Sequence, residues 1–177
     1  MAIDRAQTVR GALAGAVAAG VWAAQQPLDK RVFGVDYDDT ELLGKLVTRG
    51  PAWRPVGLAL HLLNGAAFGA AYSAVAPSVQ LPSWSRGPLA AMAEHASTWP
   101  LMTLVRLHPA AGDFPPLFTN PRAIAQATWR HMLFGVVLGE IERRLNAPAD
   151  ADVPSYEHVA STNGHGDLEA ALSAAGR

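Results

Sequence analysis

Residues 56–76 read VGLALHLLNGAAFGAAYSAVA, and this stretch decides the predicted fold. It contains no Asp, Glu, Lys or Arg, and a helix of about twenty residues is long enough to cross a hydrocarbon layer of ~30 Å. Trp53 and Arg54 precede it and Pro77 ends it, and aromatic and basic flanks are typical of a membrane interface. Its apolar residues lie all round the helix, whereas a soluble surface helix has a charged outer face. The stretch therefore predicts a transmembrane helix.

Three further apolar blocks predict helices of similar length. Only 16% of the residues are charged and half are apolar, against roughly 25% charged in soluble domains. We predict an all-α fold: a four-helix transmembrane bundle over residues 1–145, multi-pass in a bacterial plasma membrane. The predicted spans are 8–26, 56–76, 88–107 and 123–142. A soluble four-helix bundle is the alternative, and the first block can also be interpreted as a cleavable signal peptide.

Small residues four apart occur in three of these blocks. Such small-xxx-small spacing lets helix backbones approach closely in a membrane. The glycines predicted to mediate helix packing are Gly11, Gly15, Gly65, Gly69, Gly135 and Gly139.

The segments outside the spans are polar. Residues 39–47 predict a short amphipathic helix at the membrane interface, with Asp39 or Thr40 as its N-cap. The acidic residues around it lack the regular spacing of a calcium loop, which favours a solvated loop. Residues 146–177 have no sustained apolar period and predict a flexible, disordered C-terminal tail.

The apolar blocks contain polar residues that we expect to face the bundle interior, because polar groups at membrane depth pair with one another. They form a predicted buried polar cluster of His61, Asn64, Glu94, His95, Gln126, Arg130 and His131. In an up-down bundle Glu94 lies on the order of 8 Å from Arg130 along the axis, a gap that an arginine can bridge. We therefore expect a Glu94–Arg130 ion pair; without it, His61 or His131 is the expected partner of Glu94.

This cluster admits three interpretations. It can be a structural ion pair that fixes helix register, a pathway for protons or small solutes that uses the histidines, or a metal site formed by His61, His95, His131 and Glu94. No recognised metal or hydrolase motif is present, so we assign no catalytic residue, metal or cofactor and favour a non-enzymatic role. A net charge of −1 disfavours nucleic-acid binding, and the chain has no cysteine.

The overall pattern resembles the uncharacterised small polytopic membrane proteins of high-GC bacteria. The resemblance rests on residues 26–29 (QPLD), 61–65 (HLLNG) and 129–131 (WRH) with Gly139 and Glu140. It implies a membrane location but brings no known activity and no functional residue. The sequence thus predicts a structural or accessory membrane protein whose partner is the lipid bilayer, with a homo-oligomer or another membrane protein as possible partners. A small transporter or proton-conducting protein is the alternative.

Overall fold

The fold is all-α, as predicted. A computed structural model describes residues 4–147, and within that range it contains five α-helices and no β-strand. The helices are α1 (Arg5–Phe33), α2 (Asp39–Val47), α3 (Trp53–Val75), α4 (Ser83–Thr98) and α5 (Pro121–Leu145). Short 3₁₀ segments cover Ala76–Ser78, Trp99–Leu107 and Ala111–Asp113. The predicted tail, beyond its first two residues, lies outside the described residues.

The first helix is longer than the predicted span. It begins after the N-cap Asp4, whose carboxylate accepts from the amides of Ala6 and Gln7, and it ends at Gly34, which adopts a left-handed conformation (φ 66°). We predicted an end before Pro27, because proline lacks an N–H and disrupts a helix interior. The helix instead continues through Pro27 for another turn and a half. As a consequence Asp29 lies on a helix and not in a loop.

The third predicted span is wrong in its bounds. The α-helix starts at Ser83 and ends at Thr98, and the chain continues as 3₁₀ helix from Trp99 to Leu107. Pro100 explains the change, because it cannot donate the next α-helical hydrogen bond and disfavours helical geometry in the residue before it. The predicted helix 39–47 is present with those bounds, although its N-cap is Asp38.

The long helices alternate in direction. The start of α1 meets the end of α5, where Arg10 Nε donates to Asn146 Oδ1 at 2.6 Å. The end of α1 meets the start of α5, where the Gln126 amide donates to the carbonyl of Val35 at 3.1 Å. In this arrangement α1 packs on both α3 and α5, and α4 packs on α5, whereas α3 and α4 make few direct contacts. A gap therefore separates α3 from α4.

The predicted packing glycines lie at two close helix contacts. Gly11 and Gly15 of α1 face Gly65 and Gly69 of α3, and a Cβ added to Gly15 would collide with the Gly65 carbonyl oxygen. At the second contact, α5 residues Gly135 and Gly139 face Gly87, a residue of α4 that we did not predict. At both places the backbones of the two helices touch, and no side chain larger than that of glycine fits between them.

The expected four membrane spans are not confirmed. Of the described residues, only Trp53–Ser78 is both long enough and apolar enough to cross a membrane by composition. Only 28% of the most apolar window of this stretch is buried, so it is not a core helix enclosed by the rest of the protein.

Candidate functional site

A buried arginine links three parts of the chain. Arg130 of α5 is fully buried, and its guanidinium binds Asp29 of α1 in a bidentate manner, with both N···O distances at 2.6 Å. Its Nη1 donates to Asp39, the first residue of α2, at 2.7 Å. Its Nη2 also donates to the carbonyl of Tyr37 at 2.9 Å. We call Asp29, Asp39 and Arg130 the charge network; two carboxylates and one guanidinium give it a net charge of −1.

Side-chain amides complete the coordination of Asp29. Gln126 lies one turn before Arg130 on α5 and donates to Asp29 Oδ1 at 2.8 Å. Gln25 lies one turn before Asp29 on α1 and donates to Oδ2 at 2.6 Å. Each carboxylate oxygen therefore accepts two hydrogen bonds, one from the guanidinium and one from an amide. This satisfies a buried carboxylate whose desolvation would otherwise be unfavourable.

Asp39 has a similar set of donors. Its Oδ2 accepts from Trp22 Nε1 at 3.0 Å and from Gln26 Nε2 at 3.2 Å, in addition to Arg130. Burial raises the pKa of the Asp39 carboxyl, but the positive charge of Arg130, the nearby His61 and hydrogen bonds from Tyr37 and Trp22 together lower it by more, so the net pKa lies below its usual value. Burial and the Asp39 carboxylate together raise the pKa of the Tyr37 phenol well above its usual value. Asp39 is therefore a stable anion and Tyr37 a neutral donor near neutral pH.

The predicted Glu94–Arg130 ion pair is wrong. Arg130 uses its hydrogen bonds on Asp29, Asp39 and the Tyr37 carbonyl. Glu94 Oε2 instead lies 2.9 Å from His131 Nε2, the alternative partner that the sequence suggested. The prediction failed because it placed Asp29 in the connection after the first span and Asp39 at the start of an interfacial helix, so that neither carboxylate was considered as a partner of Arg130.

The three histidines lie around one aromatic residue. The rings of His95 and His131 have centroids 4.4 Å apart, and His95 Nε2 lies 3.1 Å from Thr128 Oγ1. Trp22 contacts His131 on one side and His61 on the other, with centroid distances of 4.7 and 5.4 Å. The indole thus separates His61 from the other two rings. In the described part of the chain, no three His, Asp or Glu side chains are grouped so that they could hold a metal ion.

These residues border a cavity of about 440 Å³ between α3 and α4. Its wall combines carboxylates, histidines and aromatic rings with aliphatic side chains. The polar and aromatic residues that line it are Trp22, Tyr37, Asp39, His61, Asn64, Phe68, Glu94, His95, Thr98, Trp99, His131 and Phe134. Asp39 belongs to both the charge network and the cavity wall, so the two features form one site.

The predicted cluster is thus only partly assembled. His61, His95, Gln126 and Arg130 are buried, His131 and Glu94 are partly buried, and Asn64 is exposed at the edge of the cavity. Gln126 lies with Arg130 in the charge network, whereas the histidines and Glu94 line the cavity. The sequence analysis missed Asp29 and Asp39 as binding partners of Arg130, together with Trp22, Gln26 and Tyr37. One signal was available: an unpaired arginine in an apolar helix requires carboxylates, and four aspartates (Asp29, Asp36, Asp38 and Asp39) lie between the first and second predicted spans.

Comparison with known proteins gives no match to any family model, curated protein or solved structure.

Proposed function

We propose that this protein is a multi-pass membrane protein in which α1, α3, α4 and α5 are embedded in lipid, and that its role is structural or accessory. The observation that supports the proposal is the distribution of polarity, which is the reverse of a soluble protein. Among the described residues the largest fully buried side chains include Arg130, Gln126 and Asp29. In soluble proteins Arg and Asp are almost never fully buried unless they are paired.

The outward faces of the long helices are apolar. The exposed residues of α1 between positions 11 and 24 are Leu13, Val17, Val21 and Ala24. The exposed residues of α5 between positions 123 and 142 are Ile124, Ala125, Trp129, Met132 and Val136. The exposed positions of α3 from 56 to 75 are apolar except for Asn64. A continuous apolar surface of this extent is rare on a soluble monomer and marks a surface that is covered.

The charge network explains how lipid-facing helices tolerate Arg130. A charge at the centre of a membrane helix costs about 2.5–3.5 kcal/mol on insertion scales, and polar groups at that depth face the protein interior. Here the guanidinium points away from the apolar surface and binds two carboxylates. Because those carboxylates come from α1 and α2, the pairing also fixes the register of α5 against α1. This supports a structural role for the network.

Cysteine labelling tests the proposal cleanly, since the chain has no native cysteine. Val17→Cys lies on the exposed apolar face of α1, and Arg144→Cys lies near the end of α5. Both native residues are more than half exposed in the isolated protein. In sealed membranes we expect a water-soluble maleimide with access to both faces to label the residue 144 variant and not the residue 17 variant. Detergent unfolding should make both variants reactive.

A soluble bundle gives the opposite result. In that case both cysteines react at similar rates without detergent, and the protein is recovered from the aqueous fraction after a carbonate wash. Equal labelling in sealed membranes with retention in the carbonate pellet would show that α1 lies outside the lipid, and would contradict the proposed arrangement of spans.

A further inference from the structure

The cavity between α3 and α4 has acidic character. Among the described residues, its ionisable lining consists of the carboxylates of Asp39 and Glu94, the neutral Tyr37 phenol and the three histidines, without Lys or Arg. Arg130 lies behind Asp39, but it also binds Asp29, so the charge network remains at −1. The Glu94 side chain is 34% exposed and only its Oε2 faces His131. A ligand that enters this space therefore meets negative potential.

Aromatic rings form much of the remaining wall. Trp22, Phe68, Trp99 and Phe134 all line the cavity, and Phe68 and Phe134 meet edge to face at 5.5 Å. The face of an aromatic ring attracts a cation, and the attraction strengthens where water is excluded. Carboxylates combined with aromatic faces are thus complementary to an organic cation with an apolar body.

Two buried polar atoms on the wall have no partner. Of the three such side-chain atoms among the described residues, two are His61 Nε2 and His95 Nδ1, and both rings line the cavity. The residues are 7% and 6% exposed. An unmade hydrogen bond at a buried polar group costs about 1–3 kcal/mol. Neither nitrogen is accessible from the cavity, so a ligand reaches one only if a side chain moves, whereas the partly exposed Glu94 carboxylate can form an ion pair with a cationic N–H directly.

We propose that this cavity binds a protonated amine with an apolar or aromatic body. Its volume of about 440 Å³ falls within the roughly 300–1,000 Å³ of small-molecule sites. The gap between α3 and α4 gives the ligand a lateral route to the site. The same chemistry is carried by a free amine or by a primary-amine lipid headgroup. This inference goes beyond the proposed membrane role and does not depend on it, because the cavity is a property of the folded chain.

The test is isothermal titration of the purified full-length protein in maltoside micelles with 2-phenylethylammonium. We expect saturable binding at one site per chain with a change in tryptophan fluorescence, since Trp22 and Trp99 line the cavity. The matched anion 3-phenylpropionate should not bind. Glu94→Gln should weaken the affinity at least tenfold, because it removes the accessible carboxylate. The control Glu140→Gln changes a glutamate outside the cavity and should leave the affinity unchanged.

A second variant guards against misfolding. Trp99→Leu keeps the carboxylate and removes an aromatic ring from the cavity wall, and it should also weaken binding. It provides the test if circular dichroism shows that Glu94→Gln is unfolded. Competition by phosphatidylethanolamine but not phosphatidylglycerol would identify the ligand as a lipid headgroup, and no competition by either would identify it as a free amine. Absence of saturable binding, equal binding of the anion, or full affinity in both cavity variants would overturn the proposal.

Discussion

Arg130→Gln should be among the most destabilising single substitutions in this protein. The guanidinium is completely buried and makes four hydrogen bonds, two to Asp29, one to Asp39 and one to the Tyr37 carbonyl. Glutamine removes the only positive charge of the network and leaves two carboxylates without compensation. Breaking a buried ion pair from one side typically costs about 3–5 kcal/mol. For a chain of this size that corresponds to a fall in Tm of roughly 10 °C.

Asp29→Asn should be milder, and the comparison tests the argument. It leaves Arg130 paired with Asp39, so the remaining pair is neutral, and we expect a loss of about 1–2 kcal/mol. The double variant should be more stable than the sum of the single losses predicts, by at least ~1 kcal/mol, because it removes one of the two uncompensated carboxylates. The control Arg144→Gln, at an exposed ion pair with Glu140, should change stability by less than about 1 kcal/mol.

The assay is thermal unfolding followed by far-UV circular dichroism in one detergent for all four variants. Refutation would be an Arg130→Gln protein that melts within the range of the Arg144→Gln control. Strict additivity of Arg130→Gln and Asp29→Asn would likewise show that the two side chains do not interact in the folded protein.

Two further predictions concern Asp39 and the glycine contact between α1 and α3. Asp39→Asn should lower stability by about 1.5–3 kcal/mol at pH 7. The folded pKa of Asp39 lies below the unfolded value of 3.8, so the ionised carboxylate stabilises the protein above that pH, and this stabilisation is lost as the pH falls through the folded pKa. The difference in melting temperature between Asp39→Asn and wild type should therefore be smaller at pH 3 than at pH 7. Gly15→Ala should lower stability by about 1–3 kcal/mol through overpacking against Gly65. In the control Gly20→Ala the added Cβ meets only a side-chain carbon at 3.7 Å, so this variant should be neutral or stabilising. Equal melting temperatures of the two variants would contradict the close contact at Gly15.

Local pattern was sufficient to predict the helical class and the position of α2. Hydrophobic periodicity and the acidic N-terminus of α2 are short-range signals, and they report directly on helix formation. The glycine spacing likewise identified residues that the structure brings to helix contacts. Gly87 was not predicted because it lies one residue before the predicted third span and has no glycine four residues away. The proline at position 27 misled the prediction of where α1 ends.

The partners of Arg130 could not be found from spacing alone. Asp29 lies 101 residues before it in the sequence, and no local rule relates two such positions. Glu94 was chosen from its expected depth in an up-down bundle, a comparison that covered only residues within the predicted spans. Asp29 lies within reach of Arg130 because α1 continues past Pro27. The cavity could not be predicted from the sequence either, because it depends on the separation between α3 and α4.

The distance in sequence between Asp29 and Arg130 has a consequence for biogenesis. At a synthesis rate of about 5–20 residues per second, the 101 residues that separate them take roughly 5–20 s to emerge. Asp29 and Asp39 are therefore already synthesised when Arg130 emerges, whereas Asp29 has no arginine partner until then. Gln25, one helical turn away and 2.6 Å from Asp29 Oδ2, gives the nascent carboxylate a donor from its own helix throughout that interval.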